Sequence, residues 1–133
     1  MRVVVATDRS ETAQNAVAWA ADLARRFDGE LVLLQVLPEA QHGAEEALRV
    51  DANAYPAARA SLRIDPDVAG AIVRAAEEEA ADVLVVGNAG MGGRKEFLLG
   101  NVPNRVSHLT RRTLVIVNTA QRVEQRQKRR FGR

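Results

Sequence analysis

Cysteine is absent from the 133 residues, which excludes a disulfide framework and any thiolate-bound zinc site. Aromatic side chains make up only 4% against 47% apolar residues, so the core must be built from aliphatics and alanine. Long apolar runs are missing as well. The longest, Leu31 to Leu37, is interrupted by Gln35 and falls far below the roughly 20 residues a membrane-spanning helix needs. No Gly-Lys-Ser/Thr phosphate loop occurs, and no Ser-His-Asp or Cys-His set can be assembled. His42 and His108 stand apart from each other and from any carboxylate cluster at ligand spacing, which argues against a metal site made by the protein. Because Met1 to Val5 reads directly into a strand, no signal peptide is expected. A soluble, cytoplasmic protein is the expectation, and the length suits one domain that buries roughly two-thirds of its unfolded surface.

Charge is present but unevenly placed. From Ala120 to Arg133 there are six basic residues against Glu124 alone, a balance of +5 that leaves 13 basic and 16 acidic groups, or −3, for the rest. The basic character thus belongs to the tail, and the body is mildly acidic. The expected division is a folded domain over residues 1–119 and a basic, flexible tail over 120–133.

Periodicity supplies alternating strands and helices. Val3 to Ala6 is a short β-branched run, and Glu11 to Phe27 carries Ala13, Ala16, Val17, Ala20, Leu23, Ala24 and Phe27 at helical spacing before a stop at Asp28-Gly29. Leu31 to Leu37 is continuously apolar, the mark of a strand covered on both faces. The segment from Pro38 to Pro56 is weakly patterned, with a short helix over 43–53 as its best reading. Ala58 to Ile64 alternates, and its polar face of Arg59, Ser61 and Arg63 suggests an edge strand. Asp65-Pro66 reads as a helix opening, followed by a buried stripe of Val68, Ala69, Ile72, Val73, Ala76 and Ala80 and a solvated Glu77-Glu78-Glu79. Val83 to Val86 and Leu114 to Val117 complete the strands, with a helix from about Asn101 to Arg111 between them. Such alternation predicts an α/β fold, a five-stranded parallel sheet covered by helices in a single-domain, Rossmann-like three-layer sandwich.

The most informative local pattern is Gly87-Asn88-Ala89-Gly90 followed by Gly100-Asn101. It lies where a strand hands over to a helix, the place where nucleotides bind in open α/β sheets. Backbone can approach a bulky anion only where side chains are absent, and a helix start offers free N–H donors. The same glycines could instead serve only a turn with positive φ. Asp8 and Ser10 are open in the same way, as ligand contacts or as caps of the first helix. Arg94 and Lys95 fit a solvated basic pair at least as well as a phosphate contact, and Trp19 suits packing on the first helix.

On these residues the chain resembles the universal stress protein family over nearly its whole length up to about Thr119. Gly87, Gly90 and Gly100 keep the spacing of the family's nucleotide-binding members, Leu98-Leu99-Gly100 keeps the local context, and Asp8-Arg9-Ser10 supplies the Asp-x-Ser after the first strand. Asn101 departs from the Ser or Thr usual at that point. Its amide can still cap the helix and donate to phosphate. The resemblance implies a sheet order 3-2-1-4-5 and an ATP site, with magnesium, at the carboxyl ends of strands 1 and 4. Ala6 and Thr7 would line the adenine side, Asp8 would lie near the ribose or the phosphate-bound magnesium, and Val36 would offer backbone to the adenine edge. Gly87, Asn88, Gly90, Gly100, Asn101 and Val102 would surround ribose and phosphates. It further implies slow or negligible hydrolysis and a homodimer paired through Leu114, Val115, Ile116 and Val117. The competing readings are a nucleotide-independent dimeric module whose basic tail contacts nucleic acid, an anionic membrane or an acidic protein, and, less well matched, an adenylating enzyme. Phe131 is the tail's only aromatic, so it offers no stacking platform for single strands.

Overall fold

In the computed structural model, residues 1–88 and 101–118 are described. Among these residues nine elements follow in chain order: β1 (Arg2–Ala6), α1 (Glu11–Arg26), β2 (Glu30–Leu37), α2 (Ala44–Asn53), β3 (Ala58–Ile64), α3 (Val68–Glu78), β4 (Val83–Gly87), α4 (Asn101–Leu109) and β5 (Thr113–Val117). The strands form one parallel sheet in the order β3-β2-β1-β4-β5, as the resemblance implied. Parallel strands need crossovers, and the helices that supply them cover both faces.

Period-two alternation divides the core into two layers. Val3, Val5, Leu31, Leu33 and Val85 point to the face covered by α1 and α2, where Ala16, Val17, Ala20 and Leu48 meet them. Val4, Ala6, Val32, Leu34, Leu84 and Val86 point to the opposite face and pack on Ile72, Ala75 and Ala76 of α3 and Val106 of α4. Alanine is the main helical partner in both layers, which brings the helices close to a sheet of larger aliphatics. Trp19 packs against the first layer.

Both long helices close with the same device. After α1, Asp28 adopts a left-handed φ of +52°, and the N–H of Gly29 and of Asp28 donate to Ala24 O at 2.8 Å and Arg25 O at 3.2 Å, a Schellman pair. Asp28-Gly29 thus stops the helix as expected, and Gly29 has a second purpose. A Cβ there would lie 2.3 Å from the Met1 carbonyl oxygen, so glycine permits the close approach of this turn to the chain start. Phe27 lies past the helix and is 60% exposed, not part of the buried stripe. After α3, Ala80 takes the left-handed position with φ +52°, and Ala81 N–H reaches Ala76 O at 3.0 Å. Ala80 is consequently exposed, and the stripe is completed by Gly70, Ala71 and Ala75.

The opening of α3 also differs from the Asp65-Pro66 expectation. Asp67 is the N-cap and accepts from Gly70 N–H at 3.2 Å, while Asp65 accepts from Asp67 N–H at 2.8 Å and forms the turn before it. Nor is Glu77-Glu78-Glu79 simply solvated. Glu77 accepts from Arg112 at 2.5 Å, Glu78 from Arg63 at 3.0 Å and Glu79 from Arg59, so three consecutive carboxylates tie α3 to β3 and to the start of β5. The weakly patterned stretch does form α2, and β3 is an edge strand as its alternation indicated.

Candidate functional site

The strand ladders end unevenly, and the unevenness makes a crevice. β1 pairs with β4 only from Val3↔Val83 to Val5↔Val85. On its other side β1 continues along β2, through Ala6↔Leu34 and a 2.8 Å bond from Thr7 N–H to Leu34 O. β4 likewise continues along β5, through Gly87↔Val117 and a 2.9 Å bond from Asn88 N–H to Val117 O. The two central strands thus separate at their carboxyl ends, each drawn to its outer neighbour. This is also where winding reverses, because α1 and α2 lie on one face and α3 and α4 on the other, and open α/β sheets bind ligands at such a point.

Ala6, Thr7 and Asp8 leave the sheet on one side of the crevice, and Gly87 and Asn88 leave it on the other. Ala6 and Thr7 are each 2% exposed. Thr7 Oγ1 accepts from Arg9 N–H at 3.0 Å, and Asp8 Oδ1 accepts from Ser10 N–H at 2.9 Å, two short side-chain turns that set the loop before α1. Ser10 is the N-cap of α1, with its Oγ accepting from Ala13 N–H at 3.1 Å. Asp8 is half-buried beside that cap. Gly87 is buried at the end of β4, and the Asn88 amide donates to Asn118 Oδ1 at 3.3 Å.

Asn101 is the exposed first residue of α4, and Val102 packs against the α3 and α4 layer. Because α4 runs back toward the start of β5, its N-terminus lies toward the carboxyl end of the sheet, the same end as the crevice. Val36, near the end of β2, is partly covered by the same layer. Gly90 and Gly100 lie outside the described residues, as does most of the glycine loop. Of the sequence-derived set, Ala6, Thr7, Asp8, Val36, Gly87, Asn88, Asn101 and Val102 therefore gather at one end of the sheet. Val117, expected at a dimer seam, is 4% exposed and belongs to the α1 layer.

Three features escaped the sequence reading. Arg9, between Asp8 and Ser10, has a left-handed φ of +64° and donates to Asp51 of α2 through Nε at 2.6 Å and a terminal nitrogen at 3.3 Å. That pairing holds the guanidinium above its ordinary pKa, against the opposing effect of burial. Asp67 at the start of α3 accepts from Arg105 of α4 at 3.2 Å, and its carboxyl is held below the ordinary range first by the Gly70 N–H and then by the Arg105 charge. Gln35 is 6% exposed, and its Oε1 is buried without a hydrogen-bond partner among the described residues. It sits on the α1 and α2 face, one residue before Val36. Only the interruption of an apolar run by a glutamine pointed to it in the sequence.

No group of three or more His, Asp or Glu side chains able to hold a metal occurs among the described residues. Likewise no helix there is long and apolar enough to cross a membrane. The residues around the crevice include asparagine amides at positions 88 and 101, the Asp8 carboxylate and the N-terminal N–H groups of α4. Such a donor and acceptor set suits a polar, anionic ligand bearing a hydrogen-bonding base.

The family model described as "Universal stress protein family" matches residues 1–65 and 51–118 of this chain. This chain belongs to the universal stress protein family. Universal stress protein Rv1636 of Mycobacterium tuberculosis is 31% identical over 140 residues, covering 88% of this chain and 95% of the relative. Among solved structures, universal stress protein UspA from Lactobacillus plantarum superposes with a TM-score of 0.76 at 18% identity, covering 89% and 97% of the two chains, a likeness of fold. A universal stress protein solved in complex with cAMP gives 0.69 at 25% identity, covering 90% and 98%. One from Archaeoglobus fulgidus, solved with dAMP, gives 0.71 at 21% identity, covering 89% and 98%.

Proposed function

We propose that this universal stress protein binds an adenine nucleotide, ATP with magnesium or a monophosphate, in the crevice between the carboxyl ends of β1 and β4, and acts as a regulator whose occupancy reports cellular state. The observation that carries the reading is the parting of β1 from β4 after Val5 and Val85, which opens a gap between Thr7-Asp8 and Gly87-Asn88. The cAMP and dAMP complexes of its structural relatives favour adenine as the base. Val36 backbone would meet the base edge, and Ala6 and Thr7 would flank it. Asp8 would face the ribose or a phosphate-bound magnesium, and Gly87, Asn88, Gly90, Gly100, Asn101 and Val102 would surround ribose and phosphates. Magnesium would neutralise phosphate charge beside Asp8. Rapid phosphoryl transfer also needs a positioned cation and a residue that orients the nucleophile. The proposed role is therefore binding with slow or negligible turnover.

Calorimetric titration with ATP and magnesium, AMP and cAMP tests this directly. Saturable binding by the parent, abolished by Gly100→Val and weakened about tenfold or more by Asp8→Ala, is expected. A folded parent that binds none of the three would remove the proposal. We further propose a cytoplasmic homodimer paired along β5, where Leu114, Val115 and Ile116 are only partly covered at a sheet edge. Sedimentation of Val115→Glu should then report monomer. The domain would span residues 1–119, with 120–133 as a separate basic tail.

A further inference from the structure

The loop between β1 and α1 is held from three directions, and one hold has no part in helix capping. Thr7 Oγ1 and Asp8 Oδ1 fix the N–H groups of Arg9 and Ser10, and Ser10 caps α1. These bonds explain the loop's backbone path. They do not explain why an arginine occupies its left-handed position, φ +64°, where glycine or asparagine is far less strained. The side chain supplies the reason. From that position the guanidinium reaches Asp51 in α2, 42 residues away in sequence, with Nε at 2.6 Å from one carboxylate oxygen and a terminal nitrogen at 3.3 Å from the other. The two-pronged geometry fixes orientation as well as distance. Asp51 is well covered, its side chain 18% exposed, and it is followed by Ala52, a core residue on the α1 and α2 layer. The anchor is therefore rigid, and the loop is the part that gains definition.

We propose that the Arg9–Asp51 pair is a positioning clasp, which fixes the Asp8 side of the crevice against α2 and so raises nucleotide affinity through two side chains that need not touch the ligand. The inference rests on the nucleotide-binding reading above. Asp8 immediately precedes Arg9, so a loop tethered at Arg9 presents Asp8 in one place, and preorganisation of that kind lowers the cost of ordering on binding. Lysine at position 9 would keep the charge and lose the fork. Glycine would accept the left-handed backbone and lose the clasp, which separates tether from backbone strain.

The test uses the full chain and four variants, Arg9→Gly, Arg9→Lys, Asp51→Asn and the double variant Arg9→Gly with Asp51→Asn. The readouts are calorimetric affinity for AMP and for ATP with magnesium, and amide hydrogen exchange of the unliganded protein. Arg9→Gly and Asp51→Asn should each weaken binding about five- to tenfold, the double variant no more than either single change, and Arg9→Lys by an intermediate factor. The amides of residues 8–10 should exchange faster in the variants, while those of Glu30 and Asp82 at the other end of the sheet keep their protection. Unchanged affinity in the variants of a parent that binds, additive losses, or unchanged exchange at residues 8–10 would overturn the clasp alone. A parent that binds neither nucleotide would overturn the functional reading first, and the role of the clasp with it.

Discussion

The two ends of the sheet are built on opposite terms. At the amino end the chain closes on itself wherever it can. Glu30 N–H donates to Met1 O at 2.9 Å, Asp82 N–H to Arg2 O at 2.9 Å and Leu31 N–H to Ala57 O at 3.1 Å, while Arg2 pairs with Glu30 and donates from its own N–H to Asp82. Both Schellman turns lie here. At the carboxyl end the ladders of β1 and β4 part, and Gln35 keeps a buried oxygen with no partner among the described residues, while left-handed backbone occurs at both ends, at Arg9 here and at Asp28, Ala57 and Ala80 at the amino end. Burying an unpaired carbonyl costs stability. A fold that leaves a buried polar group unpaired and its ladders parted at one end, and ties its backbone together at the other, separates stability from binding.

Substitutions at each end should break that separation in different ways. The largest effect is expected from Gly29→Ala, whose Cβ would meet the Met1 carbonyl at 2.3 Å. Backbone must move, at about 2–3 kcal/mol, measured by urea unfolding, with nucleotide affinity unchanged in the protein that remains folded. A smaller loss, about 1 kcal/mol, is expected from Glu79→Gln, which removes the charge partner of Arg59. Its pH dependence has a definite sign. The Arg59 hydrogen bond holds the Glu79 carboxyl below its ordinary value, so its contribution is complete above the unfolded pKa of about 4.3 and is lost as pH falls through the lower folded value. Stability of the parent should therefore fall more steeply than that of Glu79→Gln in this acidic window. The smallest effect has the opposite sign. Gln35→Met replaces an unpaired buried amide by an apolar side chain of similar shape and should stabilise the free protein by roughly 0.5–1 kcal/mol. A loss of stability would mean that the amide is satisfied in solution.

The same contrast decides what could be read from the sequence. The strands were legible because continuous apolar runs such as Leu31 to Leu37 have one physical meaning in a covered sheet, and α1 because its apolar positions keep helical spacing. Helix ends were less legible. Asp65-Pro66 and Asp67 are both plausible openings, and only tertiary placement puts Asp67 within reach of Gly70 N–H and Arg105. Left-handed positions at Asp28 and Ala80 gave no signal either, since glycine rather than aspartate or alanine is the usual marker. The strand order came from family resemblance, because periodicity alone leaves it open. At the site, the small and polar residues after β1 and β4 were visible as a motif. Arg9 and Asp51 were not, because their meeting depends on α2, the segment with the weakest pattern.

The account stands most directly on where a nucleotide lands. Amide chemical shifts of the labelled full chain, followed during titration with AMP and with ATP and magnesium, should move at Thr7 to Ser10, Val36, Gly87, Asn88, Asn101 and Val102, and stay fixed at Arg2, Gly29, Glu30 and Asp82. Saturable shifts confined to the amino end, or none at either end, would contradict it.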